Sequence, residues 1–323
     1  MPVGNLRNLN KEETDLDPNS NYCLETKALC KQYKNFKALI GVDIHVPKGA
    51  IYGLVGQNGA GKTTLIRLLC GLQNPTSGTY SLYGIPHTSS AIHTARKRMG
   101  AVVETPALQQ DMTARENLEQ QYRILGLPWK NGMDDLLALV GLADTGKKKA
   151  KAFSLGMRQR LGIALALCGS PDLLVLDEPV NGLDPQGIVE IRELILTLNR
   201  EHGITVLVSS HILDELSRLA THYGFIHHGV MLKEIAAREL ENSCRKRVHL
   251  TVTDTPALAR VCDSLGLDYE ILSDRQADLY GQVPFTRLTL ALSRENCEVQ
   301  SFQEHNESLE NYYLNLIGGN GHA

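Results

Sequence analysis

A chain of 323 residues with 42% hydrophobic content can bury a large core, and it is long for a single domain. Its formal net charge of −3 gives no electrostatic reason to expect nucleic acid. Seven cysteines, an odd number without Cys-x-x-Cys spacing, read as free thiols in a reducing compartment rather than a disulfide frame. No secretory signal opens the chain, and no apolar stretch reaches the roughly 20 residues of a membrane span.

In chain order, residues 1–21 are rich in Asn, Asp, Glu and Lys and read as a disordered tail. From Tyr22 to about Ile235 strands alternate with helices, which predicts a mainly parallel sheet covered on both faces. Ile51–Val55 reads as a buried strand and Thr64–Cys70 as a helix. Between them, Gly56-Gln57-Asn58-Gly59-Ala60-Gly61-Lys62-Thr63 fits the phosphate-cradling pattern G-x-x-x-x-G-K-[ST]. The glycines let backbone N–H groups turn toward phosphate oxygens, and Lys62 is expected against the β- and γ-phosphates. The helix N-terminus, where Thr64 follows, adds partial positive charge, and the Thr63 hydroxyl is placed to hold Mg²⁺. This segment predicts a nucleoside triphosphate site.

Met99–Val103 reads as another strand, ending at Glu104. Further on, the apolar run Leu173-Leu174-Val175-Leu176 closes on Asp177-Glu178-Pro179, the pattern of a buried parallel strand with two carboxylates at its C-terminal end. Side chains alternate across a strand, so one carboxylate can face the metal while the next points elsewhere. Asp177 is assigned to the magnesium shell and Glu178 to the attacking water, as general base or positioning group. Past Asn242 a smaller α+β texture takes over, with a strand over Val248–Val252, a helix over Pro256–Leu265 and a last helix over Ser308–Ile317. No motif there carries chemistry. The expected division is 22–243 and 244–323, the second part a packing or dimer-stabilising appendage in which Tyr312 and Tyr313 are candidate partner contacts.

Three more stretches resemble one family. Phe153-Ser154-Leu155-Gly156-Met157-Arg158-Gln159-Arg160 opens a helix just before the carboxylate strand, and Ser154–Arg158 stands where the ATP-binding cassette (ABC) family has its L-S-G-G-Q signature. Asn181-Gly182-Leu183-Asp184 is similar to that family's dimer-interface loop, and His211 in Ser209-Ser210-His211 to its switch histidine. Tyr33 matches the residue on which adenine stacks, without fixing ATP over GTP, since every base has a π-face. The resemblance implies an α/β P-loop NTPase fold, mainly a parallel sheet, with an antiparallel β-subdomain and an inserted helical subdomain over about 106–170. It also implies a shared site: one copy offers Lys62, Thr63, Asp177 and Glu178 to MgATP, and a second closes it with Ser154 and Gly156. Asp184 counts among the nucleotide contacts and His211 among the catalytic residues.

Where the family normally places a metal- and channel-facing glutamine, this chain has Glu104, a stronger ligand for a hard cation. Gln109 and Gln110, a few residues on, are the rival candidates. Glu104-Thr105-Pro106, Thr113–Leu118 and the Ser-Leu-Gly-Met signature together resemble the ATPases of bacitracin- and lantibiotic-type exporters. The implied partners are a second copy and a separate transmembrane permease, which would hold the chain at the cytoplasmic face of the membrane. The other readings are a soluble cassette ATPase acting on ribosomes or DNA and a non-catalytic assembly subunit.

Overall fold

The computed structural model describes residues 21–128, 132–243, 247–281, 283–305 and 309–319. The proposed N-terminal tail lies, but for Asn21, outside them. The chain forms two compact units, divided between Ala237 and Arg238.

The first unit runs β1 (Tyr22–Tyr33), β2 (Phe36–Val42), β3 (His45–Pro47), β4 (Ile51–Val55), α1 (Lys62–Leu69), β5 (Ser77–Leu82), β6 (Ile85–Pro86), α2 (Ile92–Arg96) and β7 (Met99–Val102). It continues through α3 (Ala114–Leu125), α4 (Met133–Leu139), α5 (Leu155–Leu167), β8 (Leu173–Asp177), α6 (Pro185–Arg200), β9 (Thr205–Ser210), α7 (Leu213–Ser217), β10 (His222–His227) and β11 (Val230–Ala236). Six strands form one sheet in the order β11-β10-β4-β9-β8-β7, parallel except for the β10–β11 hairpin. Every residue of β4, β8 and β9 is buried, as their apolar runs require of strands covered on both faces. The antiparallel sheet is β2-β1-β5-β6 with β3 on β1.

The helices between β7 and β8 start and stop on local signals. Thr113 caps α3 in a reciprocal box: its hydroxyl accepts from the Glu116 N–H at 3.2 Å, and the Glu116 carboxylate accepts from the Thr113 N–H at 2.7 Å. Gly126 at φ +67° ends α3. Helix α5 then lies directly on β7, because a Cβ at Gly100 would meet the Ala166 carbonyl oxygen at 2.3 Å. A second close approach, Gly162 on Pro106, fastens the segment after β7 to the same helix.

Glu234 on β11 stitches both sheets. Its carboxylate accepts from the His45 N–H at 2.8 Å and the buried Tyr52 hydroxyl at 2.6 Å, and lies 2.7 Å from His45 Nδ1.

The second unit runs α8 (Ala237–Ser243, its first residue in the first unit), β12 (Arg247–Val252), α9 (Thr255–Leu265), β13 (Asp268–Ser273), β14 (Gln276–Tyr280), α10 (Phe285–Arg294), β15 (Val299–His305) and α11 (Leu309–Gly319). All neighbours in its sheet, β13-β14-β12-β15, are antiparallel. The order β-α-β-β-α-β with β14 inserted between β12 and β13 is a split βαβ, the ferredoxin-like arrangement. Its own core gathers Leu250, Leu258, Leu279, Leu288 and Leu292.

The Glu234 network sets a stability test. Glu234→Ala leaves the buried Tyr52 hydroxyl without its acceptor, so a loss of about 2 kcal/mol is expected in urea unfolding. Adding Tyr52→Phe should recover part of that loss.

Candidate active site

The glycine-rich loop is wedged between neighbours that leave no room for side chains. A Cβ at Gly56 would meet the Ile226 carbonyl oxygen at 2.6 Å. At Gly61, which holds φ +110° as the N-cap of α1, it would meet the Ala38 carbonyl oxygen at 2.8 Å. The Gly229 N–H donates to the Ala60 carbonyl at 2.9 Å, and the Ile40 N–H donates to the Gly229 carbonyl at 2.7 Å. The β10–β11 turn and β2 thus hold the loop from outside, while β4 and α1 hold its two ends. Helix α1 begins at Lys62 rather than Thr64, because Gly61 supplies the turn that starts it.

Lys62 is almost fully buried, and its ammonium donates to the Gly56 carbonyl at 2.6 Å and the Gln57 carbonyl at 3.1 Å. Glu178 Oε1 forms an ion pair with it at 3.1 Å. A phosphate oxygen arriving at Lys62 therefore meets a cation that already has an anionic partner. Glu178 stands just past β8 at φ +49°, a left-handed conformation uncommon for a residue with a side chain. Its other oxygen lies 2.5 Å from His211 Nδ1, so one carboxylate links the lysine to the histidine. An ionised carboxylate only accepts, so Nδ1 carries the shared proton and Nε2 is left for another partner.

Asp177 is 1% exposed. The Ser209 hydroxyl donates to Asp177 Oδ1 at 2.6 Å and accepts from the Glu178 N–H at 2.9 Å. The parallel register, Asp177 beside Ser209, makes that double contact. Sequence reasoning quoted Ser209 only as a lead-in to His211. The available signal was a serine closing a buried strand next to a strand that ends in a carboxylate. The Asp177 carboxylate and the Thr63 hydroxyl at the start of α1 are hard oxygen donors, the kind of set that Mg²⁺ takes together with phosphate oxygens and water.

The remaining predicted residues fall into three places. Ser154 caps α5, accepting from the Met157 N–H at 3.2 Å, and Gly156 and Leu155 rest against Leu183 and Gly182. Asp184 caps α6, accepting from the Gly187 N–H at 3.0 Å. Ser154 and the loop of residues 181–184 therefore form one edge of the same copy, braced by Arg160, which pairs with Glu190 at 3.3 Å and donates to the Val140 carbonyl. Tyr33 is half-exposed at the end of β1. Its hydroxyl donates to Gln73, and Lys31 Nζ lies 5.1 Å from its ring centroid.

Glu104 sits at φ +60°, 54% exposed, with Oε1 accepting from Arg67 of α1 at 2.6 Å. Arg67 was not among the sequence candidates. Gln109 and Gln110 are exposed, and their backbone is tied to the helical segment: Gln109 exchanges bonds with Asn117, and the Gln110 carbonyl accepts from the Lys151 N–H. Burial pushes the Cys70 thiol up to about 12, with the Asp177 charge adding to the rise. Burial does the same for Cys23 and Cys168.

A parallel sheet that delivers a glycine-rich loop, its lysine and two strand-end carboxylates to one spot defines a P-loop nucleoside triphosphatase. Residues 39–181 match the ABC transporter family. The chain is 42% identical to the bacitracin transport ATP-binding protein BcrA of Bacillus licheniformis, over 92% of this chain and 97% of that protein. It is 41% identical to the lantibiotic transport ATP-binding protein SrtF of Streptococcus pyogenes, over 65% of this chain and 90% of that one. Among solved structures, the dimeric structure of MJ0796, a bacterial ABC transporter cassette, matches with a TM-score of 0.60 at 25% identity, covering 67% of this chain and all but 1% of that one (99%). The chain belongs to the ABC transporter ATP-binding proteins, and it binds and hydrolyses ATP.

Two measurements test the site. Ser209→Ala removes the bond that orients Asp177 and the acceptor for the Glu178 N–H, and a fall in kcat of roughly 10–100-fold is expected, with little change in nucleotide affinity. With thiol pKa values near 12, the thiolate fraction at pH 8 is on the order of 10⁻⁴. Alkylation at pH 8 followed by mass spectrometry should therefore leave Cys23, Cys70 and Cys168 unmodified in the folded protein and modified after unfolding.

Proposed function

We propose that this chain is the ATP-hydrolysing motor subunit of an exporter that removes, or protects its cell against, a bacitracin- or lantibiotic-like peptide or another amphipathic drug. The observation that carries the motor reading is the Glu178 carboxylate held between Lys62 and His211 beside the buried Asp177. The names of BcrA and SrtF, two transport ATP-binding proteins, support the substrate class. An ATPase that works on ribosomes or DNA is not favoured, since those relatives are transport proteins and the net charge is −3.

In this reading Lys62 and the loop N–H groups of residues 56–64 take the phosphates, and Tyr33 stacks on the base. Thr63 and Asp177 would hold Mg²⁺, which would supply neutralisation of the triphosphate charge. Glu178 exchanges Lys62 for the attacking water as phosphate arrives, and His211 keeps the carboxylate aimed while its Nε2 faces the γ-phosphate. Ser154, Gly156 and the N-terminus of α5 from a second copy supply donors that one copy alone does not bring to its own Lys62, and the dimeric solved cassette supports that pairing.

Coupling to a membrane partner follows from the loop after β7. No described helix is long and apolar enough to cross a membrane, so the channel is assigned to a separate permease. Glu104 connects to the nucleotide helix α1 through Arg67, and Pro106 packs on Gly162 of the signature helix. A permease segment pressing on this loop would act on both halves of the ATP site together. With nucleotide bound, Glu104 would be released from Arg67 and would add its carboxylate to the residues able to hold Mg²⁺.

Variants separate these roles. Lys62→Ala is expected to weaken binding of a fluorescent ATP analogue at least tenfold, because it removes the charge against the phosphates. His211→Ala is expected to change affinity little while lowering turnover. Glu178→Gln should bind ATP, lose turnover, and elute as a dimer in size-exclusion chromatography with MgATP. A Glu178→Gln chain that stays monomeric at saturating ATP would overturn the shared site.

A further inference from the structure

The second unit leaves an edge strand whose sequence matches itself. β15 (Val299-Gln300-Ser301-Phe302-Gln303-Glu304-His305) ends the sheet, pairing with β12 on one side and with no strand on the other among the described residues. Such an edge presents a row of unpaired N–H and C=O groups, and proteins usually blunt it with lysine, proline or several charges. β15 has no lysine and no proline, and Glu304 is its one acidic residue. The opposite edge strand, β13, carries both Asp268 and Glu270.

Phe302 lies opposite Leu250, a core residue, and so points to the helix-covered face of the sheet. Its ring is 5.0 Å from that of Phe285, the first residue of α10, yet Phe302 is 59% exposed. The core of this unit therefore runs out to the sheet edge and stops there uncovered. A large aromatic at such a place is a surface that another apolar group would complete.

We infer that β15 pairs antiparallel with β15 of a second copy about a two-fold axis at Phe302, joining the two four-stranded sheets into one of eight strands. In that register Phe302 meets Phe302, Ser301 meets Gln303, Gln300 meets Glu304, and Val299 meets His305. Like charges do not face each other anywhere along the strand, and α10 of both copies stays on the same face. The Phe285–Phe302 pairs of the two copies then cover one another. A slip of one residue sets Phe302 against Gln303 and puts the two helix layers on opposite faces, while a slip of two sets it against Glu304, so the apolar pairing selects the register. A two-fold contact of this kind uses the same patch twice, as closed homodimers do.

The inference rests on the two-copy motor reading and adds a contact that does not need nucleotide. Two cassettes tied through their second units stay at high effective concentration while their ATP sites open and close. Hydrolysis then resets the sites without parting the copies.

The test uses the full chain without nucleotide. In an antiparallel pair, residues directly opposite lie about 4.5–5.5 Å apart at Cα, within disulfide reach. Phe302→Cys is expected to form a covalent dimer on mild oxidation, whereas Ile271→Cys on β13 stays monomeric. A mixture of Gln300→Cys and Glu304→Cys chains should cross-link where neither alone does. Phe302→Asp, checked for an unchanged Tm, should weaken nucleotide-free self-association at least tenfold in sedimentation equilibrium while leaving ATP-driven pairing of the Glu178→Gln chain intact. Cross-linking of Phe302→Cys no faster than Ile271→Cys, or sedimentation unaffected by Phe302→Asp, would overturn the edge pairing. If the Glu178→Gln chain still pairs with ATP in that case, the two-copy motor stands and only the β15 contact falls.

Discussion

The contact on which the site depends is the 3.1 Å approach of the Lys62 ammonium to the Glu178 carboxylate. Both groups are largely buried, and Lys62 also donates to the Gly56 and Gln57 carbonyls. An arriving phosphate therefore competes with a carboxylate for the same cation. In the proposed mechanism, binding of the triphosphate and release of Glu178 toward water become one event. The cost of separating a buried ion pair is met only when another anion arrives to replace it.

Everything around that pair serves to keep it in place. The loop has no room for side chains, because a Cβ at Gly56 or Gly61 would strike the carbonyl oxygen of Ile226 or Ala38. Glu178 holds a left-handed backbone, and its N–H is tied to the Ser209 hydroxyl that also fixes Asp177. Strain at such a position persists only where the surroundings over-determine it, and it tends to gather at functional sites. Glu104, a third acidic residue proposed for the site beside Asp177 and Glu178, shares that backbone conformation and is likewise held by a cation, Arg67. Two carboxylates near the nucleotide loop are thus each held by a basic residue of α1, one at its first turn and one near its last.

Much of this was legible in the sequence because the signals are local. A glycine-rich loop between a buried strand and a helix, an apolar run ending in Asp177-Glu178, and a serine before a helix each lie within a dozen residues. What the sequence did not show depends on neighbours distant in the chain. Ser209 contacts Asp177 across 32 positions, and Arg67 reaches Glu104 across 37. The split βαβ of the second unit was read only as a small α+β pattern. β13 is exposed at nearly every residue and β15 is mostly polar, so neither shows the alternation that marks a half-buried strand.

The central claim is that one working site is assembled from two copies, and mixing two inactive variants tests it most directly. A Lys62→Ala chain keeps an intact Ser154–Gly156 edge, and a Gly156→Asp chain keeps an intact Lys62 and Glu178. Each alone is expected to be inactive, while a dimer containing one of each holds one site in which both halves are native. Recovery of ATPase activity on mixing, absent from either variant alone, is the result this account requires. A Gly156→Asp chain that turns over ATP at the native rate alone, or a mixture that stays inactive although the two chains pair, would contradict it.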